Sequence, residues 1–406
     1  MKYTAVNIGP IIGTINLARK PCELWSASYL FSFLMECIIK ELKAENKMIL
    51  SPASLDEVQK VGLYPDRVFV EDTEDDELED ILSNALKEFT QVTGIGRDYV
   101  NIMYVSVESK TGVDVIKDLN RYLDCTELVN RTFDDKSRMN VLDLIQEKNN
   151  SALFKRAFGN PNWNFPFLAE IATDKLSKTG EEDKKVLWMK YRDEEREKEN
   201  SSENPEKIED EFYQKIKVAF KEEYRSYYKY ICVVQADGDK MGEIVSVLPN
   251  KRVKDLSTAL MQYGCKVSKM IEEYGGVPIY AGGDDLLFIA PVVSGKDGVE
   301  NIFQLLSQID ECYRVGVDEE IEKIGRPKDE KGNLIHTTLS YGLSISYYKY
   351  PLYEALQSAL DLLFGKAKNV AGKNAVAWRL RKHRALQGYL RKMIQRAVFI
   401  NCSNYS

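Results

Sequence analysis

Histidine is almost missing: only His336 and His383 occur in 406 residues, which excludes chemistry built on a histidine cluster, such as a zinc hydrolase or an HD-type metal phosphohydrolase. Metal chemistry, if present, falls to carboxylates. Cysteine is sparse and unpatterned. The seven residues at 22, 37, 125, 232, 265, 312 and 402 are odd in number and form no CxxC, which argues against a zinc ribbon or a disulfide framework and suits a reducing cytoplasm. No run of 18 apolar residues occurs, and the start MKYTAVNIGP lacks the succession of a signal peptide. No membrane partner is expected. A positive excess is also lacking, since 56 basic against 63 acidic residues leave a net charge of −7, so any contact with nucleic acid must be local. What is present is apolar material for a sizeable core, 44% of the chain.

The patterning predicts an α+β protein. The run at 3–9 reads as a strand ending in a Gly-Pro turn, and 11–42 as a long apolar helix. MILSP and YPDRVFVE read as strands, the acidic stretch from Glu71 opens a helix reaching about Thr93, and 99–107 reads as a strand. That order, β-α-β-β-α-β, is the ferredoxin-like split arrangement. From 113 to 227 the pattern is helical and irregular, with a charged run at about 192–207 read as a mobile, solvated loop. YICVVQA is a continuous apolar run suited to a strand buried on both faces, and it stops at Asp237-Gly238-Asp239. A helix follows, then VPIYAGGDDLLFIAP, two strand arms around Gly282-Gly283. After further helix, LSYGLSISYY is a strand, PLYEALQSALDLLFGKAKNV a helix, and AVAW a short edge strand. A second β-α-β-β-α-β unit is thus expected. The boundaries drawn are 1–112, 113–227 for a helical insertion, 228–380, and 381–406 for a short basic helix and tail.

Asp237 ends a buried strand, and Asp284-Asp285 sit at a hairpin turn one helix later. In this fold the two strands are neighbours, so the carboxylates can converge as hard oxygen ligands for Mg²⁺ or Mn²⁺, with no soft ligand to select zinc. Two such ions are the apparatus of phosphoryl transfer. Gly282 and Gly283 permit positive φ in the turn and close approach of a nucleotide. Gly-Gly-Asp-Asp alone, or Asp-Gly-Asp alone, is equally an ordinary turn. Both together, in order around a helix, favour the metal site, because paired like charges require a cation. Lys366, Lys368, Lys373 and Asn374 gather near the end of the last helix, where lysine suits either a triphosphate or the helix dipole.

DGDKMG, YAGGDDLLFIAP, SYGLSISYYKYPLYEAL and AKNVAGKNAVAW together resemble the second palm domain of the CRISPR-associated type III large subunit, whose palm is similar to GGDEF-type cyclases and polymerase palms. VNIGPIIGTINLARKPCELWSASYLFSFL, YPDRVFV and NFPFLAEIA resemble its type III-B (Cmr) branch. The resemblance implies two palms that bind ATP between them and join it into cyclic oligoadenylate when the effector complex, with its other subunits and crRNA, binds target RNA. Some relatives instead join ATP to S-adenosylmethionine. Carried over, Asp237 and Asp285 become metal ligands with Asp284 beside them and the Gly238 carbonyl as a backbone ligand. Gly282, Gly283, Lys368, Lys373 and Asn374 become nucleotide-binding, Lys368 at the triphosphate. Trp25 and Ser28 either line the second nucleotide's pocket or are simply core aromatic and helix serine.

This sequence departs from the family's pattern in lacking its HD nuclease domain, its inter-palm zinc cysteines and its C-terminal helical domain. In place of the last, RKHRALQGYLRKMIQRAVFINCSNYS reads as one basic helix, for RNA or partner contact or as a solvated end. Three functions follow as rivals: a metal-dependent nucleotidyltransferase in a type III-B complex, a catalytically silent scaffold, or a free-standing nucleotide cyclase. Asp-Asp in place of Glu-Phe argues against a diguanylate cyclase.

Overall fold

The computed structural model describes residues 1–110, 115–127, 135–146, 152–161, 165–178, 182–199, 205–293, 300–329, 331–370, 372–381 and 385–391. The chain opens with β1 (Lys2–Gly9), a short α1 (Ile11–Ile15) and α2 (Pro21–Ala44). The expected single helix from 11 to 42 is therefore two, broken before Pro21, whose fixed φ and missing N–H suit a first helical turn. Helix α2 is long and apolar enough to cross a membrane, yet 89% of its apolar window is buried inside the protein, and it serves as the core helix of the first half.

The strands β2 (Met48–Ser51), β3 (Arg67–Glu71) and β4 (Asn101–Glu108) join β1 in a sheet of order β2-β3-β1-β4 with every pair antiparallel; α3 (Asp75–Thr93) links the last two in sequence. Asp75, Asp76 and Glu77 occupy the first turn of α3, where they complement the helix dipole, and Gly94 ends it in the left-handed region at φ 72°.

Six helices follow: α4 (Val115–Glu127), α5 (Asp135–Gln146), α6 (Ala152–Phe158), α7 (Leu168–Lys178), α8 (Glu182–Glu199) and α9 (Pro205–Ala219). The charged run expected to be a mobile loop is largely helical here, a correction with a clear cause. Three of its charges, Glu194, Glu195 and Arg196, pair across helices. Lys215 on α9 bonds Glu194 and Glu195 on α8 at 2.9 and 2.7 Å, and Arg196 grips both carboxylate oxygens of buried Glu170 on α7 at 2.9 and 2.5 Å. Residues 200–204 lie outside the described residues.

The second half runs β5 (Tyr230–Gly238), α10 (Met241–Val247), α11 (Asn250–Tyr274), β6 (Val277–Gly282), β7 (Asp285–Pro291), α12 (Ile302–Tyr313), α13 (Glu319–Gly325), β8 (Leu339–Tyr347), α14 (Leu352–Gly365), β9 (Ala375–Arg381) and β10 (Ala385–Arg391). Its sheet has the order β10-β9-β8-β5-β7-β6, so β6-β7-β5-β8 repeats the order of the first sheet. β5 lies between β7 and β8, which explains why no polar alternation marks its apolar stretch from Tyr230 to Val234. Two expectations change at the far edge. β9 is interior, parallel to β8 and antiparallel to β10, and residues 385–391 form that strand in place of a basic helix. Pairing with the strand immediately before it in sequence, Ala385 opposite Arg381, decides it. Residues 392–406 lie outside the described residues.

The halves meet at residues 52–64 of the first. The Gly62 carbonyl accepts from the Ala281 N–H at 2.9 Å, forming a parallel bridge to β6, and Ala53 N–H donates to Ser257 Oγ on α11 at 2.7 Å. Ser32 on α2 holds the same segment, accepting from the N–H groups of Leu63 and Tyr64, both at 3.1 Å.

Burial pushes Glu170 up to about 7 despite Arg196. The folded chain thus holds a proton there that the unfolded chain releases at ordinary carboxylate pH, so this group lowers stability as pH rises from about 4.5 to about 7. Arg196→Met is expected to destabilise by about 3 kcal/mol at pH 8 and by clearly less at pH 5.5, where Glu170 is protonated, as read by urea unfolding.

Candidate functional site: an acidic cleft between two sheets

The turn that ends β5 is organised by a residue that the motif reading passed over. Asp239 is 1% exposed. Its Oδ2 accepts from Thr338 Oγ1 at 2.7 Å, Ser340 Oγ at 2.9 Å and the Asn374 N–H at 2.9 Å, and its Oδ1 from Lys368 Nζ at 2.9 Å. Its backbone is held too, N–H to the Thr338 carbonyl at 2.7 Å and carbonyl from Thr337 Oγ1 at 2.8 Å. A buried carboxylate is tolerable only with such partners. The available signal was Ser340 at the start of LSYGLSISYY, a buried polar side chain in a core strand.

Lys368 lies on the short turn after α14 and is also committed to this region. Its ammonium donates to the carbonyls of Asp237 at 2.9 Å and Gly238 at 2.7 Å, and stands 2.9 Å from Asp237 Oδ2. Lys373 is close enough for its charge to lower Asp237, and Asn374 meets the site through its backbone N–H, both residues having positive φ of 51° and 52°.

Across the strand pair, the β6–β7 turn is Gly283-Asp284, since Gly282 pairs with Asp285. Gly283 takes the left-handed φ of 65°, as expected. Gly282 does not; its need is space, because a Cβ there would sit 2.7 Å from the Leu63 carbonyl. At Gly238 a Cβ would fall on the Asp284 carboxylate, so this carboxylate lies directly against the β5 turn. Asp237, Asp284 and Asp285 are thereby brought together as anticipated.

Their electrostatics agree. Burial, then the charge of Asp237, pushes Asp284 up to about 6. Burial, then the charges of Asp284 and Asp237, pushes Asp285 well above the carboxylate range. Asp285 is exposed on the cavity it lines, yet enough protein surrounds it that the direction of its shift stands, although water screens its size. Burial raises Asp237 as well, against the pull of Lys368.

Asp285 opens into a cavity of about 290 Å³ between the two sheets, with Ser28, Phe31 and Asp66 on the first-half side and Leu287, Leu363 and Phe364 on the other. Ser28 is therefore placed at the cavity. Trp25 is not: it is 1% exposed, stacks on Tyr29 at 4.6 Å and donates Nε1–H to the Lys60 carbonyl at 2.9 Å, a core role. Asp66, from YPDRVFV, is a further carboxylate whose charge reaches Asp285.

The donor set fits a hard divalent cation: carboxylates of Asp237, Asp284 and Asp285, and the Gly238 carbonyl, with mutual repulsion that raises their proton affinity and an ammonium standing among them. Among the described residues no three acidic, His or Cys side chains already stand in chelating arrangement, the ammonium being the cation in place.

An α+β protein with two sheets of like order and an acidic cleft between them defines the class. Residues 230–377 match the model for the Cas10/Cmr2 second palm domain, and residues 3–93 that for the N-terminal region of CRISPR-associated protein Cmr2. The chain belongs to this family, the type III-B (Cmr) large subunits. It is 31% identical over 176 residues to the CRISPR system Cmr subunit Cmr2 of Pyrococcus furiosus, a match covering 37% of this chain and 18% of that one. Among solved structures, it resembles a chain of the type III-B Cmr-beta complex bound to cognate target RNA with a TM-score of 0.56 at 11% identity, covering 93% of this chain and 70% of that one. It resembles a chain of the Csm1-Csm4 cassette in complex with AMPPNP with a TM-score of 0.53 at 13% identity, covering 92% and 54%. At these identities the likeness is one of fold. The chain spans about half the length of the Csm relative.

Asp239→Ala strands the partners of a buried charge, and is expected to cost about 3–5 kcal/mol in chemical denaturation. Asp285→Asn, which relieves like-charge repulsion, is expected to leave stability within about 1 kcal/mol or raise it. Addition of Mg²⁺ or Mn²⁺ should raise the melting temperature of the parent chain and not of Asp285→Asn.

Proposed function

We propose that this chain is the palm-bearing part of a type III-B effector large subunit that converts ATP into a second messenger by nucleotidyl transfer. The observation that carries the reading is Asp285 on the cavity between the two sheets, with Asp284 packed against the β5 turn and the charges of Asp284 and Asp237 reaching Asp285. Its two sheets, like in order, make each half a β-α-β-β-α-β palm, with the helices from 115 to 219 as an insertion between them.

In the transfer, a ribose hydroxyl oxygen of one nucleotide attacks the α-phosphorus of an ATP. The bond to the bridging oxygen breaks and pyrophosphate leaves. Mg²⁺ or Mn²⁺, when bound, supplies activation of the hydroxyl and neutralisation of the triphosphate. Asp237, Asp284 and Asp285 hold that charge at the head of the cleft, and the Gly238 backbone lets Asp284 approach it. Lys373, near Asp237, offers a positive charge to the phosphates. Apolar Phe31, Leu287 and exposed Phe364 offer a nucleobase an apolar wall, and Ser28 a polar contact. Gly282 and Gly283 keep the turn low enough for a nucleotide to sit over it.

The product is cyclic oligoadenylate or an adenylated S-adenosylmethionine conjugate, made in the cytoplasm when target RNA binds the assembled subunits and crRNA in antiviral defence. Support for the nucleotide comes from relatives of this fold solved with AMPPNP and with cA4, and for the RNA from the Cmr-beta complex.

The test is incubation with α-labelled ATP and Mg²⁺ or Mn²⁺, with and without S-adenosylmethionine, for the chain alone and for the reconstituted, target-RNA-bound complex. A new nucleotide product is expected, falling by about two orders of magnitude or more in Asp284→Asn/Asp285→Asn. No product from the bound complex would leave the chain a scaffold and sink the enzyme reading.

A further inference from the structure

The Asp237–Asp239 turn already holds a cation, the ammonium of Lys368. Four oxygens surround it: the Asp237 carbonyl at 2.9 Å, the Gly238 carbonyl at 2.7 Å, Asp239 Oδ1 at 2.9 Å and Asp237 Oδ2 at 2.9 Å. This is an oxygen cage of the kind a hard metal ion takes. Two of its four members, the Asp237 carboxylate and the Gly238 carbonyl, are the donors that the metal reading requires. The ammonium is well enclosed, its side chain 11% exposed. A divalent ion taking the same donors would meet a like charge at contact distance in a partly buried site, where such repulsion is strong.

The lysine is not indispensable to the turn. Without it Asp239 keeps Thr338, Ser340 and the Asn374 N–H, and its backbone keeps both bonds to 337–338. Lys368 sits on a three-residue turn, 367–369, beyond the end of α14, and its four-carbon stem can carry the ammonium several ångströms without moving the backbone.

We propose that Lys368 is an internal cation that occupies the metal-binding turn of the nucleotide-free chain, competes with the divalent ion for Asp237 and Gly238, and is drawn off when a triphosphate offers it a better partner. The inference rests on the metal-site reading above. It makes metal and nucleotide binding mutually reinforcing: the triphosphate removes the lysine that opposes the metal, so the metal ion binds more weakly without nucleotide than with it. One side chain thereby has two positions, of which the turn-bound one is the resting state.

The experiment is Mn²⁺ titration of the full chain followed by electron paramagnetic resonance, without nucleotide, for the parent, Lys368→Gln, Lys368→Met, Lys368→Arg and Asp285→Asn. Removal of the charge should tighten Mn²⁺ binding at least about tenfold in both Gln and Met variants. Lys368→Arg keeps the charge and should stay within about threefold of the parent. The sign separates this role from a merely structural one, because a lysine needed only to shape the turn would weaken metal binding when removed. Equal or weaker binding in both neutral variants, with melting temperatures near the parent's, overturns the proposal. If both neutral variants melt far below the parent, the lysine is a structural pin and the proposal also falls. If neither parent nor neutral variants bind Mn²⁺, or Asp285→Asn leaves binding unchanged, the metal reading itself fails.

Discussion

The site depends on one carboxylate buried inside the protein and fully provided with partners. Asp239 has almost no contact with water, and its desolvation is offset by hydroxyls from the start of β8, a backbone N–H from the loop before β9 and the ammonium that follows α14. These partners are far apart in the chain, so the charge acts as a clasp that brings the end of β5, the entry to β8 and the last loop to one point. With Asp239 turned inward, Asp237 is left half-exposed at the cleft, 23% of its side chain accessible. Buried charge networks of this sort specify geometry more than they add stability.

The other side of the cleft depends on the first half of the chain. Helix α2 fixes the segment around Leu63 through Ser32, and that segment bonds to β6 next to the glycine pair. The turn bearing Asp284 and Asp285 is thereby held between two sheets of the same order, and its height is limited by close backbone approaches at Gly238 and Gly282. Repulsion among carboxylates forced this close raises their proton affinity and makes the cleft a place where cations are wanted. The apolar cavity alongside offers what a nucleobase needs.

Much of this was legible from residues with local consequences. The apolar start of β5, the glycine-bearing turn and the acidic first turn of α3 each carry their own structural reason, and they located the strands, the hairpin and Asp237, Asp284 and Asp285. Two of the misses are non-local. Asp239 looks like any turn aspartate until β8 and Lys368 are folded onto it. The charge-rich stretch at 192–199 is indistinguishable from a solvated loop until Lys215 and Glu170 supply partners. Residues 385–391 lie in a stretch that reads as one basic helix, but they pair with the adjacent strand β9 instead. Trp25 shows the converse: an aromatic on a helix face is as ready for core as for a ligand, and the aromatic neighbours around 154–165 settle it.

The account stands on one claim, that the cleft between the sheets holds metal and nucleotide together. Anomalous diffraction from crystals grown with Mn²⁺ and a non-hydrolysable ATP analogue tests it most directly. The account predicts manganese peaks within coordination distance of Asp237 and Asp285, the analogue's base in the cavity beside Ser28 and Phe364, and Lys368 moved off the turn onto the phosphates. Manganese and nucleotide bound away from these carboxylates, or a cleft that stays empty at saturating concentrations of both, would contradict it.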